Sequence, residues 1–221
     1  MISIIIPAYN EEKYIGKTLA SIGEQVFSEY EAIVVANGCT DDTVLIAKKH
    51  PCRVVRTNEA NVSRARNTGA SLAKGDLLVF LDADTQLTPK ALFEIDRQFS
   101  KKDAVGTMLA RPNSARLRYK IVLFFKDLLH ITRVRRGSSG IIIAPRTLFN
   151  KVGGFDPSLA INEDDGLIRK LLFFGGYKVI RRTHVTTAMR RYEKWGMLRL
   201  AWFWIVNKHI TRRNAQYEAV R

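Results

Sequence analysis

The stretch that most narrows what this chain can become is Gly75-Asp-Leu-Leu-Val-Phe-Leu-Asp-Ala-Asp84, an apolar run that enters two carboxylates separated by one small residue. A segment that is apolar on both faces belongs at the centre of a parallel sheet, where helices cover both sides. Asp82 and Asp84 then stand at the carboxyl end of the strand, the edge at which open α/β sheets bind ligands. Two residues apart on an extended backbone, they point the same way, and Ala83 keeps the space between them small. Convergent hard oxygen donors suit a divalent cation such as Mn2+ or Mg2+, which keeps positions for water and substrate phosphates. The same residues also suit a solvated loop leading into a helix, with Thr88 as N-cap and Pro89 as first residue.

The chain before this strand alternates. Ile2 to Ile6 reads as a strand broken by Pro7-Ala-Tyr-Asn10, followed by a helix that Asn10 caps, with Glu11 and Glu12 in its first turn. Ile15, Leu19 and Ile22 form its inward stripe. Residues 31–36 and 53–57 are further strands, and helices are expected from Asp41 to Lys49 and from Val62 to Ala73. Strands alternating with helices in this way predict a doubly wound, mostly parallel α/β sheet with helices on both sides. No Gly-x-Gly-x-x-Gly follows the first strand, which disfavours a dinucleotide-binding Rossmann fold.

Beyond the acidic pair, residues 88–100 are expected to be helical and 104–110 to form a strand. From Arg116 to Arg133, Leu117, Ile121, Phe124, Phe125 and Leu128 keep helical spacing among basic residues, so this helix either packs on the domain or lies on a membrane surface. At 221 residues and 46% hydrophobic content, one domain over 1–185 is expected, followed by a basic, aromatic tail over 186–221. The tail holds all three tryptophans, and its apolar core over 200–206 is far shorter than the roughly 20 residues that span a bilayer. It is expected either to lie at a membrane interface or to pack on the domain or a second subunit. With only Cys39 and Cys52 and no signal peptide in view, a cytoplasmic setting is expected, with peripheral contact on the inner face of the membrane.

A net charge of +15 calls for an anionic partner. Nucleic acid is disfavoured, because the aromatics occupy apolar runs instead of alternating with arginine on a strand platform.

In order along the chain, Ile4-Ile-Ile-Pro-Ala-Tyr-Asn-Glu11, Asn37-Gly-Cys-Thr-Asp-Asp-Thr43, Ser63-Arg-Ala-Arg-Asn-Thr-Gly69, Leu81-Asp-Ala-Asp84, Gly153-Gly-Phe-Asp156 and Glu163-Asp164 resemble family 2 glycosyltransferases over residues 1 to about 185. The resemblance implies a GT-A fold, a nucleotide-diphosphate sugar donor, a hydroxyl acceptor and a divalent metal, with 1–110 as the nucleotide-sugar-binding half and 111–185 as the acceptor-side half; together with the basic, aromatic tail it makes a lipid-linked glycan one form of the acceptor. It places Pro7, Ala8, Tyr9 and Glu11 along the nucleotide, although a packed aromatic also accounts for Tyr9. Many relatives carry two aspartates at the end of the second strand; here Ala36-Asn37 replaces them, leaving the donor base open and Asn37 as an amide contact.

The resemblance also makes Arg64 a phosphate-facing residue and Asn67 a support of loop or sugar, against the alternative of an exposed helix face. Arg190 and Arg191 fall to the diphosphate or an anionic acceptor, or else to a solvated basic face, and His184 to the metal or to an ordinary surface or core position. Asp164 is the general base by resemblance, supported by Glu163, with Asp165 as competitor. Attack by an acceptor hydroxyl on an anomeric carbon needs a base, while the departing diphosphate needs charge neutralisation rather than a proton. Two rival expectations are a nucleotide-sugar-binding protein without turnover and a nucleic-acid-binding module.

Overall fold

The computed structural model describes residues 1–159 and 161–196. In chain order its elements are β1 (Ile2–Ala8), α1 (Ile15–Gly23), β2 (Tyr30–Asn37), α2 (Thr43–Ala47), β3 (Arg53–Thr57), α3 (Val62–Leu72), β4 (Leu77–Leu81) and β5 (Thr85–Leu87). There follow α4 (Ala91–Gln98), β6 (Asp103–Pro112), α5 (Leu117–Ile131), β7 (Ile141–Pro145), α6 (Arg146–Lys151), α7 (Glu163–Leu171), β8 (Gly176–Thr187) and α8 (Arg190–Trp195).

All strands join one sheet in the order β3-β2-β1-β4-β7-β6-β8-β5. The first four run parallel. β7 is antiparallel to both β4 and β6, β8 is parallel to β6, and β5 closes the edge antiparallel to β8. The sheet is therefore parallel over β3, β2, β1 and β4 and mixed from β7 onward, with helices on both faces.

Alternation along the central strands divides the core in two. Ile2, Ile4, Ile6 and Ala8 of β1, with Val79 and Leu81 of β4, face α1, α4 and the inner side of α5. Ile5, with Leu78 and Phe80, faces α3, α6 and α7. That is why the run before Asp82 is apolar at every position. At Gly69 an added Cβ would lie 2.4 Å from Ile5 Cγ2, so only glycine lets α3 settle this closely on β1.

Several local expectations are corrected. β1 runs on through Pro7 and Ala8, because pairing with β2 persists through Pro7–Val35 and Ala8–Ala36. Asn10 does not cap α1. Its φ is +52° and its side-chain oxygen accepts from the Thr40 N–H at 2.9 Å, while α1 begins only at Ile15, after a turn centred on the buried Glu11. The residues after Asp84 form β5 instead of a loop, and α4 starts at Ala91; Thr88 instead bonds Thr183 and the His184 carbonyl.

β8 continues past residue 185, and α8 reaches back to the site, so residues 186–196 are continuous with the domain. The rest of the expected tail, including the apolar core over 200–206, lies outside the described residues. Among the described residues no helix is long and apolar enough to cross a membrane.

Candidate active site

The carboxyl ends of β1, β2 and β4 meet at one edge of the sheet, and the chain adds to this edge the amino end of α7, the start of α8 and the segment before β7. Asp82 follows β4 directly, and its N–H donates to the Gly140 carbonyl at 3.0 Å. Gly140 has φ +82°, and a Cβ there would approach Thr85 Oγ1 to 2.6 Å, so the close passage requires glycine. Ala83 is buried, its carbonyl held by Thr18 Oγ1 at 2.7 Å. The Asp84 carbonyl accepts from the Ala188 N–H at 3.2 Å, which ties the acidic pair to the end of β8.

Two guanidinium groups organise the carboxylates. Arg66, on the inner face of α3 and 4% exposed, donates to Asp82 Oδ1 at 3.0 Å, Glu163 Oε1 at 3.1 Å and Asp164 Oδ1 at 2.8 Å. Its guanidinium also lies 4.9 Å from the centre of the Phe155 ring. Arg190 grips both oxygens of Glu11 at 2.8 and 2.9 Å, and its Nε meets Asp84 Oδ2 at 2.9 Å. Asp164 is completed by Ser138 Oγ, which donates to Oδ2 at 2.7 Å. Asn162, at φ +64°, turns the chain into α7 and sets Glu163, Asp164 and Asp165 in its first turn.

Five carboxylates (Glu11, Asp82, Asp84, Glu163 and Asp164) thus surround two guanidinium groups, a formal deficit of three positive charges. Burial raises the carboxyl of Asp84 to about 6, and the charges of Asp82 and Glu11 add to this while Arg190 opposes it. Burial also lifts Glu163 to about 7, reinforced by the charge of Asp164 and opposed by Arg66. Burial raises Asp165 as well. Burial works against the charge of Arg190, but Asp84 and Glu11 outweigh it and hold the group protonated more firmly than usual.

The Glu163 shift carries a stability consequence. A carboxyl whose folded pKa is raised contributes stability that is fully present below about 4.5 and is lost as pH rises through about 7. Glu163→Gln removes one like charge yet keeps an oxygen for Arg66. It is expected to raise Tm by roughly 3–6 °C at pH 8 and by little at pH 4, read by thermal unfolding across that range. Equal shifts at both pH values would mean that Glu163 is already ionised without penalty.

The structure gathers Glu11, Asp82, Asp84, Glu163, Asp164 and Arg190 around the edge formed by the ends of β1 and β4. Pro7, Ala8 and Ala83 are buried beneath them and Tyr9 is half-buried. Asn37, at the end of β2, is fully buried, and neither atom of its side-chain amide has a hydrogen-bond partner. Arg64 is not brought in: its side chain is exposed and pairs with Glu59 at 3.1 Å. Asn67 is spent on the backbone of Phe155, donating to its carbonyl at 2.8 Å and accepting its N–H at 3.0 Å, and so clamps the turn after α6. Arg191 is exposed.

His184 stands apart, four residues back along β8 from Ala188, or roughly 13 Å of extended strand. Among the described residues, no group of three or more His, Cys, Asp or Glu side chains is arranged to hold a metal. The donor set nonetheless fits one, since Asp82 and Asp84 supply hard oxygens in an under-neutralised site.

Sequence reasoning missed Arg66 and Ser138. Arg66 was within reach: on a helix it follows Val62 by four residues and precedes Gly69 by three, and so shares their inward face, whereas Arg64 does not. Ser138 carries no such signal, because its loop has no period.

The match to known proteins follows this geometry. Residues 3–158 match the model of "Glycosyl transferase family 2". The chain belongs to that family. An uncharacterized glycosyltransferase of Haemophilus influenzae is 26% identical over 195 residues, covering 81% of this chain and 65% of the relative. The poly(ribitol-phosphate) β-N-acetylglucosaminyltransferase TarS of Staphylococcus aureus is 33% identical over 98 residues, 41% of this chain and 17% of TarS. The chain thus spans under two thirds of either relative's length.

Among solved structures, S. aureus TarS 1–349 in complex with UDP-GlcNAc superposes with TM-score 0.69 at 18% identity, over 99% of this chain and 68% of that one. The mannosyltransferase PcManGT of Pyrobaculum calidifontis, in complex with GDP-Man and Mn2+, gives TM-score 0.73 at 20% identity, over 96% and 65%. At those identities the likeness establishes the fold, which is GT-A.

Proposed function

We propose that this chain is a metal-dependent, inverting glycosyltransferase that moves a sugar from a nucleotide-diphosphate sugar to a hydroxyl acceptor. The observation that carries the reading is the bridging of Asp82, at the end of β4, to Glu163 and Asp164, some eighty residues later, through one buried guanidinium. A metal-side carboxylate and a carboxylate pair capable of base chemistry therefore share one edge, as a single displacement requires. The solved neighbours support the donor class, one holding UDP-GlcNAc and the other GDP-Man with Mn2+.

Asp84 and Asp82 would hold the divalent ion, which when bound neutralises charge on a diphosphate leaving group. Arg190 now occupies one oxygen of Asp84 and is placed to turn toward the diphosphate, with Arg191 beside it in sequence. The ends of β1 and β2, with Tyr9, Glu11 and Asn37, provide the nucleotide side. The unpartnered amide of Asn37 offers one donor and one acceptor to a base edge. Asp164 serves as general base, held by Arg66 and oriented by Ser138, whose hydroxyl sits where an acceptor hydroxyl would donate. The acceptor oxygen bonds to the anomeric carbon as the bond to the diphosphate breaks, and its proton passes to Asp164. Glu163 supports the loop geometry around this group. Given the basic, aromatic carboxyl-terminal sequence, the acceptor is a lipid-linked glycan met at the inner face of the membrane.

Thermal unfolding with UDP, GDP, CDP and their sugars, each with Mn2+ or with EDTA, tests the donor half of this reading. At ligand near a hundred times Kd, binding to the folded state adds about 2.7 kcal/mol, a rise in Tm of roughly 5–10 °C for a chain of this size. The rise should disappear with EDTA. If no nucleotide shifts Tm under either condition, the assignment fails.

A further inference from the structure

Helix α5 presents its apolar stripe outward. Leu117 is 70% exposed and Phe124 and Phe125 are each 58% exposed; Ile121, Leu128 and Leu129 complete the same face. The inward row is a different set, with Tyr119 and Leu123 in the core. In that row the Asp127 carboxylate accepts the Ala110 N–H at 3.2 Å, and His130 faces the Tyr177 hydroxyl. With 3.6 residues per turn the two rows lie on opposite sides, so the outer stripe takes no part in closing the domain.

The surroundings indicate what covers this face. From Arg111 to Gly140 the sequence holds eight Lys or Arg residues (111, 116, 118, 120, 126, 133, 135 and 136) against one acid, Asp127, which is buried. Arg116, Arg118 and Lys120 at one end of the helix and Arg133, Arg135 and Arg136 beyond the other are exposed. A second copy placed face to face would set these charges against their own kind. Residues 197–221 of the same chain carry charge of the same sign, with five basic residues against Glu218. An apolar stripe rimmed at both ends by cations fits the boundary between the headgroups and acyl chains of an anionic lipid surface.

We infer that α5 is a membrane-docking helix that inserts Leu117, Ile121, Phe124, Phe125 and Leu128 into an anionic leaflet. This rests on the transferase reading and deepens it by assigning the surface on which the acceptor is met. The link to the site is short. Tyr119 lies 6.2 Å, ring to ring, from Tyr192 of α8, which also carries Arg190, and seven residues beyond α5 the Ser138 hydroxyl meets Asp164. Docking through α5 therefore places the acceptor side of the site beside the headgroup plane.

Flotation of the full chain with vesicles of phosphatidylcholine alone, or mixed with phosphatidylglycerol, tests this. Binding is expected only with the anionic lipid, to fall at high salt, and to drop at least tenfold in Phe124→Glu/Phe125→Glu. Lys120→Gln/Arg133→Gln/Arg136→Gln should weaken it several-fold while leaving the apolar stripe intact. The positions are exposed, so both variants should keep wild-type Tm and the wild-type response to nucleoside diphosphate with Mn2+. The inference is overturned if the chain does not float with anionic vesicles, if the double variant floats as well as wild type, or if the wild-type chain elutes as a dimer that the double variant breaks. Flotation without any nucleotide response would sink the transferase reading and leave the docking helix standing; nucleotide response without flotation would do the reverse.

Discussion

Asp164→Asn is expected to lower kcat by about a thousandfold while leaving the Kd for the nucleotide sugar within roughly threefold, since a positioned base contributes on the order of 10²–10⁴. The two oxygens of Asp164 face Arg66 at 2.8 Å and Ser138 Oγ at 2.7 Å, and an asparagine can keep both contacts: its carbonyl accepts from Arg66, and its amide donates to the serine oxygen. The fold and the donor side are thereby preserved, and what is lost is the lone pair that takes the acceptor's proton. Single-turnover transfer and donor titration, measured on the same preparation, separate the two quantities. Parallel loss of binding and turnover would assign Asp164 to the scaffold, and turnover retained within tenfold would pass the base role to Asp165 or Glu163.

The amino-terminal half was legible because its signals are periodic. The unbroken apolar run into Asp82 could only be a strand covered on both faces, and the stripe of Ile15, Leu19 and Ile22 could only be a helix against it; apart from the half-buried Leu77, these side chains are buried. Where periodicity stops, tertiary contacts decide. Asn10 has the chemistry of a cap, but Thr40 claims its side chain and Arg190 claims Glu11, so the chain turns before α1 begins. The outer stripe of α5 has the spacing of a core face and is exposed, because hydrophobic spacing reveals that a face exists and not what covers it. Arg64 and Arg66 differ by two residues on a helix, about 200° of rotation, which separates a surface ion pair from the centre of the site.

Arg66→Met should be the most damaging single change to stability, lowering Tm by about 10 °C at pH 8. Removing one partner from a buried ionic cluster costs roughly 3–5 kcal/mol, and in a chain of this size each kcal/mol moves Tm by about 2–4 °C. Methionine fills much of the volume beside Phe155 but leaves Asp82, Glu163 and Asp164 facing one another without a cation. Three neighbouring carboxylates relieve this by taking up protons, so the deficit should shrink as pH falls: a group with a raised folded pKa binds more protons in the folded state, and stability rises toward low pH. Comparison of the Tm difference between Arg66→Met and wild type at pH 5 and pH 8 reads this directly. Arg66→Lys should recover only part of the loss, since one ammonium cannot reach three carboxylates that a planar fork holds at 2.8 to 3.1 Å. A deficit independent of pH would mean that packing against Phe155, and not charge, is what Arg66 supplies.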